Sequence, residues 1–194
     1  MSVTIESARR RPALDETRSD PAFETIFRDH WARVYGVLYR LVGDRLEAED
    51  LALEAFWRLY SRQPSRNGKQ GPAGWLYRVA TNLGLNALRA RNRRRRYEEQ
   101  AGMLALESTA AADPAFEAER AEERHQVRRA LARMKSRSAR LLILRHSGLS
   151  YAELASTFGL APASIGALLA RAEREFERLY ENGHGRGENA SDRG

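Results

Sequence analysis

Two groups of side chains in this 194-residue chain have the types and spacing to hold charged partners. Glu49, Asp50 and Glu54 fall on adjacent helical turns around Leu53 and Trp57. Acids rimming an apolar spot suit docking on a protein that offers basic side chains, although an isolated acidic cluster can also be a solvated helix face. The second group is the run "RARNRRRR", residues 89 to 96. The planar fork of arginine matches phosphates and guanine edges. Covalent chemistry has little to work with. There is no cysteine, the four histidines are scattered and none lies near the acidic cluster, and no glycine loop of the phosphate-cradling kind occurs. The expectation is a non-enzymatic binding protein without metal or cofactor.

Charge narrows the partner. A net charge of +7, carried almost wholly by arginine, favours a polyanion, with nucleic acid the leading candidate. No apolar run approaches the roughly 20 residues that span a bilayer, and "MSVTIESARRRPALDETRSD" lacks the apolar centre of a signal peptide, so a cytoplasmic protein is expected.

The elements that must position these groups read as all-helical, in two small domains. Residues 1–20 are unpatterned and expected to be disordered. Asp20 and Pro21 then give an N-cap and a first-turn proline, and Phe23, Phe27, Val34, Leu38 and Leu41 make one apolar face up to Gly43. Asp44 with Glu47 starts a second helix that must end before Pro64. The segment "SRQPSRNGKQGPAG" reads as a basic loop, followed by a third helix from Trp75 into the arginine run. Residues 98–124 are acidic and alanine-rich, with Pro114 interrupting any long helix, and read as a linker. A second helical block opens near His125. Ser150 and Glu153 form a capping box for a helix over 151–158, Gly159 supplies a turn, and Pro162 opens the next helix, giving a helix-turn-helix in a domain of 125–180. Residues 181–194 read as a frayed tail.

In this order the motifs resemble bacterial sigma factors of the extracytoplasmic-function subgroup. "EAEDLALEAFWRLY" is similar to that family's polymerase-docking motif, and "GWLYRVATNLGLNALRARNRRRR" to its helix for the −10 promoter element. "ARLLILRHSGLSYAELASTFGLAPASIGALLARAE" is similar to its −35 domain. The resemblance implies that residues 21–97 bind core RNA polymerase and the −10 element, and residues 125–180 the −35 element. It assigns Glu49, Asp50, Leu53, Glu54 and Trp57 to core polymerase. Arg66, Asn67, Arg78, Asn82, Asn86, Arg89 and Arg93 are assigned to −10 DNA, and Ala163, Ser164, Ala167, Arg171 and Arg174 to −35 DNA. It implies promoter DNA and core polymerase as partners, and an anti-sigma factor as a possible third.

Three departures from the family stand out. Leu53 takes a place usually held by glutamine, and Asn86 one commonly held by aspartate. Gly166, Ala167 and Leu168 replace a Lys-Ser-Arg-like run on the groove-facing helix, which moves the expected sequence specificity into the first domain. Trp75 and Tyr77 open the third helix, where such rings are more often core than base-stacking platforms. A free-standing helix-turn-helix regulator is the alternative in another class. It would need a recognition helix able to read duplex DNA alone.

Overall fold

Why the chain folds as it does is clearest at its helix ends. In the computed structural model, which describes residues 21–62, 71–100 and 114–191, there are seven helices and no strand among the described residues. The first domain is α1 (Pro21–Val42), α2 (Arg45–Arg62) and α3 (Gly71–Gln100). Gly43, at φ 76°, takes the left-handed turn that ends α1, and Asp44 accepts the Glu47 backbone N–H at 2.8 Å to start α2. Only half of the expected capping box forms, because the Glu47 carboxylate turns to Arg91 instead. The second domain is α4 (Pro114–Arg133), α5 (Ser136–His146), α6 (Tyr151–Phe158) and α7 (Pro162–Ser191). Here the Ser150/Glu153 capping box is complete, Gly159 caps α6 at φ 65°, and α6 and α7 meet at 91°, the geometry of a helix-turn-helix.

Four boundaries differ from the sequence reading. α3 starts at Gly71 rather than Trp75, because Pro72 is tolerated in a first helical turn. For the same reason Pro114 opens α4 instead of interrupting it, so residues 114–124 of the expected linker are helical, and α3 runs three residues past Tyr97. α7 continues to Ser191, through most of the expected tail. Residues 1–20, 63–70 and 101–113, which hold the expected disordered segment and parts of the expected basic loop and linker, lie outside the described residues.

The packing also differs from two beads on a string. Val34, Leu38, Phe56, Leu76 and Leu85 of the first domain and Leu144, Leu154, Ile165 and Leu169 of the second belong to one continuous core. α6 comes so close to α3 that a Cβ on Gly74 would stand 3.2 Å from the Thr157 Cα. The seam is imperfectly filled: an apolar cavity of about 360 Å³ remains between Leu41 of α1 and Val127, Leu131, Leu142 and Phe176. No single helix among the described residues is long and apolar enough to cross a membrane.

Leu38 is fully buried and packs where α3 offers only Gly84, whose absent Cβ would fall 3.0 Å from a Leu38 methyl. Leu38→Ala is therefore expected to cost about 2–5 kcal/mol. Chemical denaturation checks this, and a loss below about 1 kcal/mol would show that the site collapses to fill the void.

Candidate protein-docking and nucleic-acid surfaces

The acidic group sits on an exposed face of α2. Glu49 and Asp50 are exposed and Glu54 is half-buried, its carboxylate accepting from Arg58 at 2.7 Å. Leu53 is 48 % exposed and Trp57 63 %. Leu46, which the motif reading did not single out, is 74 % exposed. Positions 46, 50, 53 and 57 follow steps of four, three and four, so they form one stripe. Large side chains left in water along one stripe, flanked by acids, have the make-up of a candidate docking surface. The signal for Leu46 was present as a leucine on the polar side of an amphipathic pattern.

The arginine run divides. Arg89, assigned to DNA by sequence, turns instead into the α4–α5 junction. It donates from Nε to the Ala132 carbonyl (3.1 Å), from Nη2 to the Met134 carbonyl (3.0 Å) and from Nη1 to the Ser136 hydroxyl (2.8 Å). These carbonyls close a helix C-terminus and have no partner within it. Arg91 likewise reaches the Val42 carbonyl at the end of α1 and the Glu47 carboxylate, and Arg95 meets the His125 ring. Arg93, Arg94 and Arg96 remain exposed.

Arg78, Asn82, Asn86, Arg89 and Arg93 lie within about 80° of arc on α3, so the structure puts these positions on one helix face. Asn82, Asn86 and Arg93 are exposed and Arg78 is half-buried. The second domain reaches this face at Arg89 and Arg78. Arg140 of α5 has its pKa lowered by burial and then by the charges of Arg78 and Arg137. Arg66 and Asn67 lie outside the described residues. Tyr77 is core rather than platform at 3 % exposure, and Trp75 packs against that core. On α7, Ala163, Ser164, Ala167, Arg171 and Arg174 are all exposed.

Polar bonds rim the seam. Arg128 donates to the Arg40 carbonyl (3.1 Å) with its guanidinium over Gly43, and Arg40 donates to the Ser147 hydroxyl (2.9 Å). Arg33 meets Glu153 at 3.4 Å. That pair is more than 40 % exposed on both sides and contributes at most about 1 kcal/mol. Apolar contact and the capped carbonyls therefore hold the domains together. The Glu153 carboxyl lies below its usual range because the Ser150 backbone N–H and hydroxyl bond to it, with Arg33 adding a smaller effect. Nearby, His30 Nδ1 lies 2.8 Å from the Tyr77 hydroxyl. Burial, then the charge of Arg33, lowers the His30 pKa, and burial raises that of Tyr77.

The described residues are thus all helical, in two domains that share one core, with a helix-turn-helix in the second and an exposed apolar–acidic stripe on α2 of the first. Comparison with known proteins identifies the family. The family description "Sigma-70 region 2" matches residues 26–94 and "Sigma-70, region 4" matches residues 124–176. The chain belongs to the sigma-70 family. It is similar to the ECF RNA polymerase sigma factor SigE of Mycolicibacterium smegmatis, 38 % identical over 42 % of this chain and 31 % of that protein. It is similar to the ECF RNA polymerase sigma factor SigW of Bacillus subtilis, 40 % identical over 35 % of this chain and 36 % of that protein. RNA polymerase sigma factor YlaC of Bacillus subtilis is 25 % identical over 81 % of this chain and 91 % of its own length. The matches to SigE and SigW span about a third of those proteins.

Two expectations follow. A bulky side chain at Gly74 cannot fit against the Thr157 backbone, so Gly74→Leu should split a single cooperative unfolding transition into two. A single unsplit transition would show that the seam accommodates the larger side chain and stays closed. The lowered His30 pKa means that the unfolded chain binds this proton more readily. The residue's contribution to stability is thus complete above about pH 6.5 and is lost as pH falls through that value toward the lowered one. Denaturation midpoints measured across this range should drop for the native chain and drop less for His30→Gln; equal slopes would contradict the assignment.

Proposed function

We propose that this chain is a sigma subunit, which docks on core RNA polymerase through α2, directs it to promoters and helps open them through α3. One observation carries the reading: the exposed stripe of Leu46, Leu53 and Trp57 with Glu49 and Asp50 beside it, on the helix that precedes the cation-bearing α3. Asp50 and Glu54 supply charge toward basic side chains of polymerase, while Leu53, in place of a glutamine, supplies apolar contact. Asn82, Asn86 and Arg93 face unpaired DNA at the −10 element, and α7 faces the −35 element.

Domain docking gives this function a closed starting state. Arg89 is spent on the α4–α5 carbonyls and Arg78 is crowded by Arg140, so the −10 surface is complete only once the second domain lifts away. Binding of polymerase supplies the free energy for that change, because only an opened chain can engage two separated promoter elements. An anti-sigma factor, where one exists, would act at the same seam and hold it shut. All of this takes place in the cytoplasm.

Trp57→Ala and Asp50→Arg should each weaken binding of the full chain to core polymerase by about tenfold or more, as expected for a central aromatic anchor and a reversed charge. Titration of labelled chain into polymerase lacking a sigma subunit measures this. Native-strength binding by both variants would sink the α2 assignment.

A further inference from the structure

The first turns of α7 present Pro162, Ala163, Ser164 and Ala167 to solvent. Only Ser164 can exchange a side-chain hydrogen bond. The side chains that separate one base pair from another by bidentate bonds, arginine, lysine, asparagine and glutamine, are absent from these turns. The same face then changes character. Positions 163, 164, 167, 171, 174 and 178 share about 100° of arc, so Arg171, Arg174 and Arg178 extend the bare surface by two turns.

Those three arginines form one wall of a groove of about 500 Å³ whose opposite wall is the start of α5, with Lys135 and Arg137. Leu141, Phe158, Leu160 and Leu168 line its floor. Glu175 is the one acid there, and its carboxylate is already engaged by the Lys135 backbone N–H at 2.8 Å. Among the described residues no ion pair neutralises Arg137, Arg171, Arg174 or Arg178. Five cations from two helices thus share one concave surface with one carboxylate. Such like-charge crowding disfavours the empty groove and favours a polyanion in it. Arg171, Arg174 and Arg178 are exposed in the closed chain, so the groove is open to a ligand before the domains part.

We propose that the second domain holds duplex DNA as a sequence-indifferent clamp. The small side chains of the first turns let α7 lie close against the duplex, while Lys135 and Arg137 of α5, with Arg171, Arg174 and Arg178 of α7, seat a run of backbone phosphates. Base identity upstream is left unread. The inference rests on the sigma-subunit reading for its setting, and it adds Lys135 and Arg137 to the DNA surface.

The test uses the full chain and a random-sequence DNA duplex pool, with affinity measured across a salt series and the bound fraction sequenced. Each phosphate contact contributes about −0.9 to the slope of log affinity against log salt, so Lys135→Ala/Arg137→Ala together should flatten the slope by about 2. Binding should weaken equally across the pool, and no sequence motif should be enriched. Arg171→Ala/Arg174→Ala should act alike, and native helicity in both double variants excludes misfolding as the cause. An unchanged slope in both would overturn the clamp, as would an enriched motif that Ser164→Ala abolishes. If the α5 pair instead lowers core polymerase affinity while duplex binding stays native, the groove holds an acidic protein segment and the clamp is likewise overturned. Wild-type chain that grips duplex in this way yet ignores core polymerase would contradict the sigma reading while leaving the clamp standing.

Discussion

Backbone carbonyls left open at helix C-termini, and the arginines that reach them across the fold, are what the closed arrangement depends on. Arg91 and Arg128 satisfy the end of α1, and Arg89 satisfies the junction after α4. A charged donor to a buried or half-buried carbonyl is worth more than an exposed ion pair, and a carbonyl left without its donor costs its full desolvation. The guanidinium suits the task because its rigid fork can bond three acceptors at once, as Arg89 does. The contrast with Arg33 and Glu153 is instructive: the visible interdomain ion pair is the weaker element.

This use of arginine changes what the net positive charge means. A run of arginines on a helix entering a DNA-binding architecture invites the assumption that every one faces phosphate. In this chain Arg89, Arg91 and Arg95 face protein, while Arg93, Arg94 and Arg96 face solvent. Cations with no ion-pair partner among the described residues also gather elsewhere, along α7 and the start of α5. The seam that consumes Arg89 is not filled to its edge, since a half-open pocket lies beside Leu41 and Phe176. Interfaces between domains that leave such voids forgo packing energy and open more readily than a filled core.

Much of the architecture was legible in the residues because it is local. Capping at Ser150/Glu153, the glycine stops at Gly43 and Gly159 and the periodic apolar faces depend on a few neighbouring positions, and the helices follow them. The errors were also local in origin. Proline breaks a helix only in its interior, so Pro72 and Pro114 in first turns start helices that composition had assigned to loop and linker. What the residues did not disclose is tertiary. Nothing near Arg89 in the chain indicates that Ala132 and Met134, more than 40 residues away, will claim its donors. Leu46 was readable as an exposed apolar side chain only once the buried face of α2 was known. The close approach of Gly74 to Thr157 has no signal beyond the presence of a glycine.

A free chain that is closed and opens on polymerase, as proposed, differs from one that does not in a single distance across the seam. The chain has no cysteine, so single cysteines at the exposed positions Arg62 and Glu181 can each carry a label without background. The distance distribution between them should be single and narrow in the free chain and should lengthen when core RNA polymerase is added. A broad distribution in the free chain, or the same narrow one after polymerase has bound, would contradict the account.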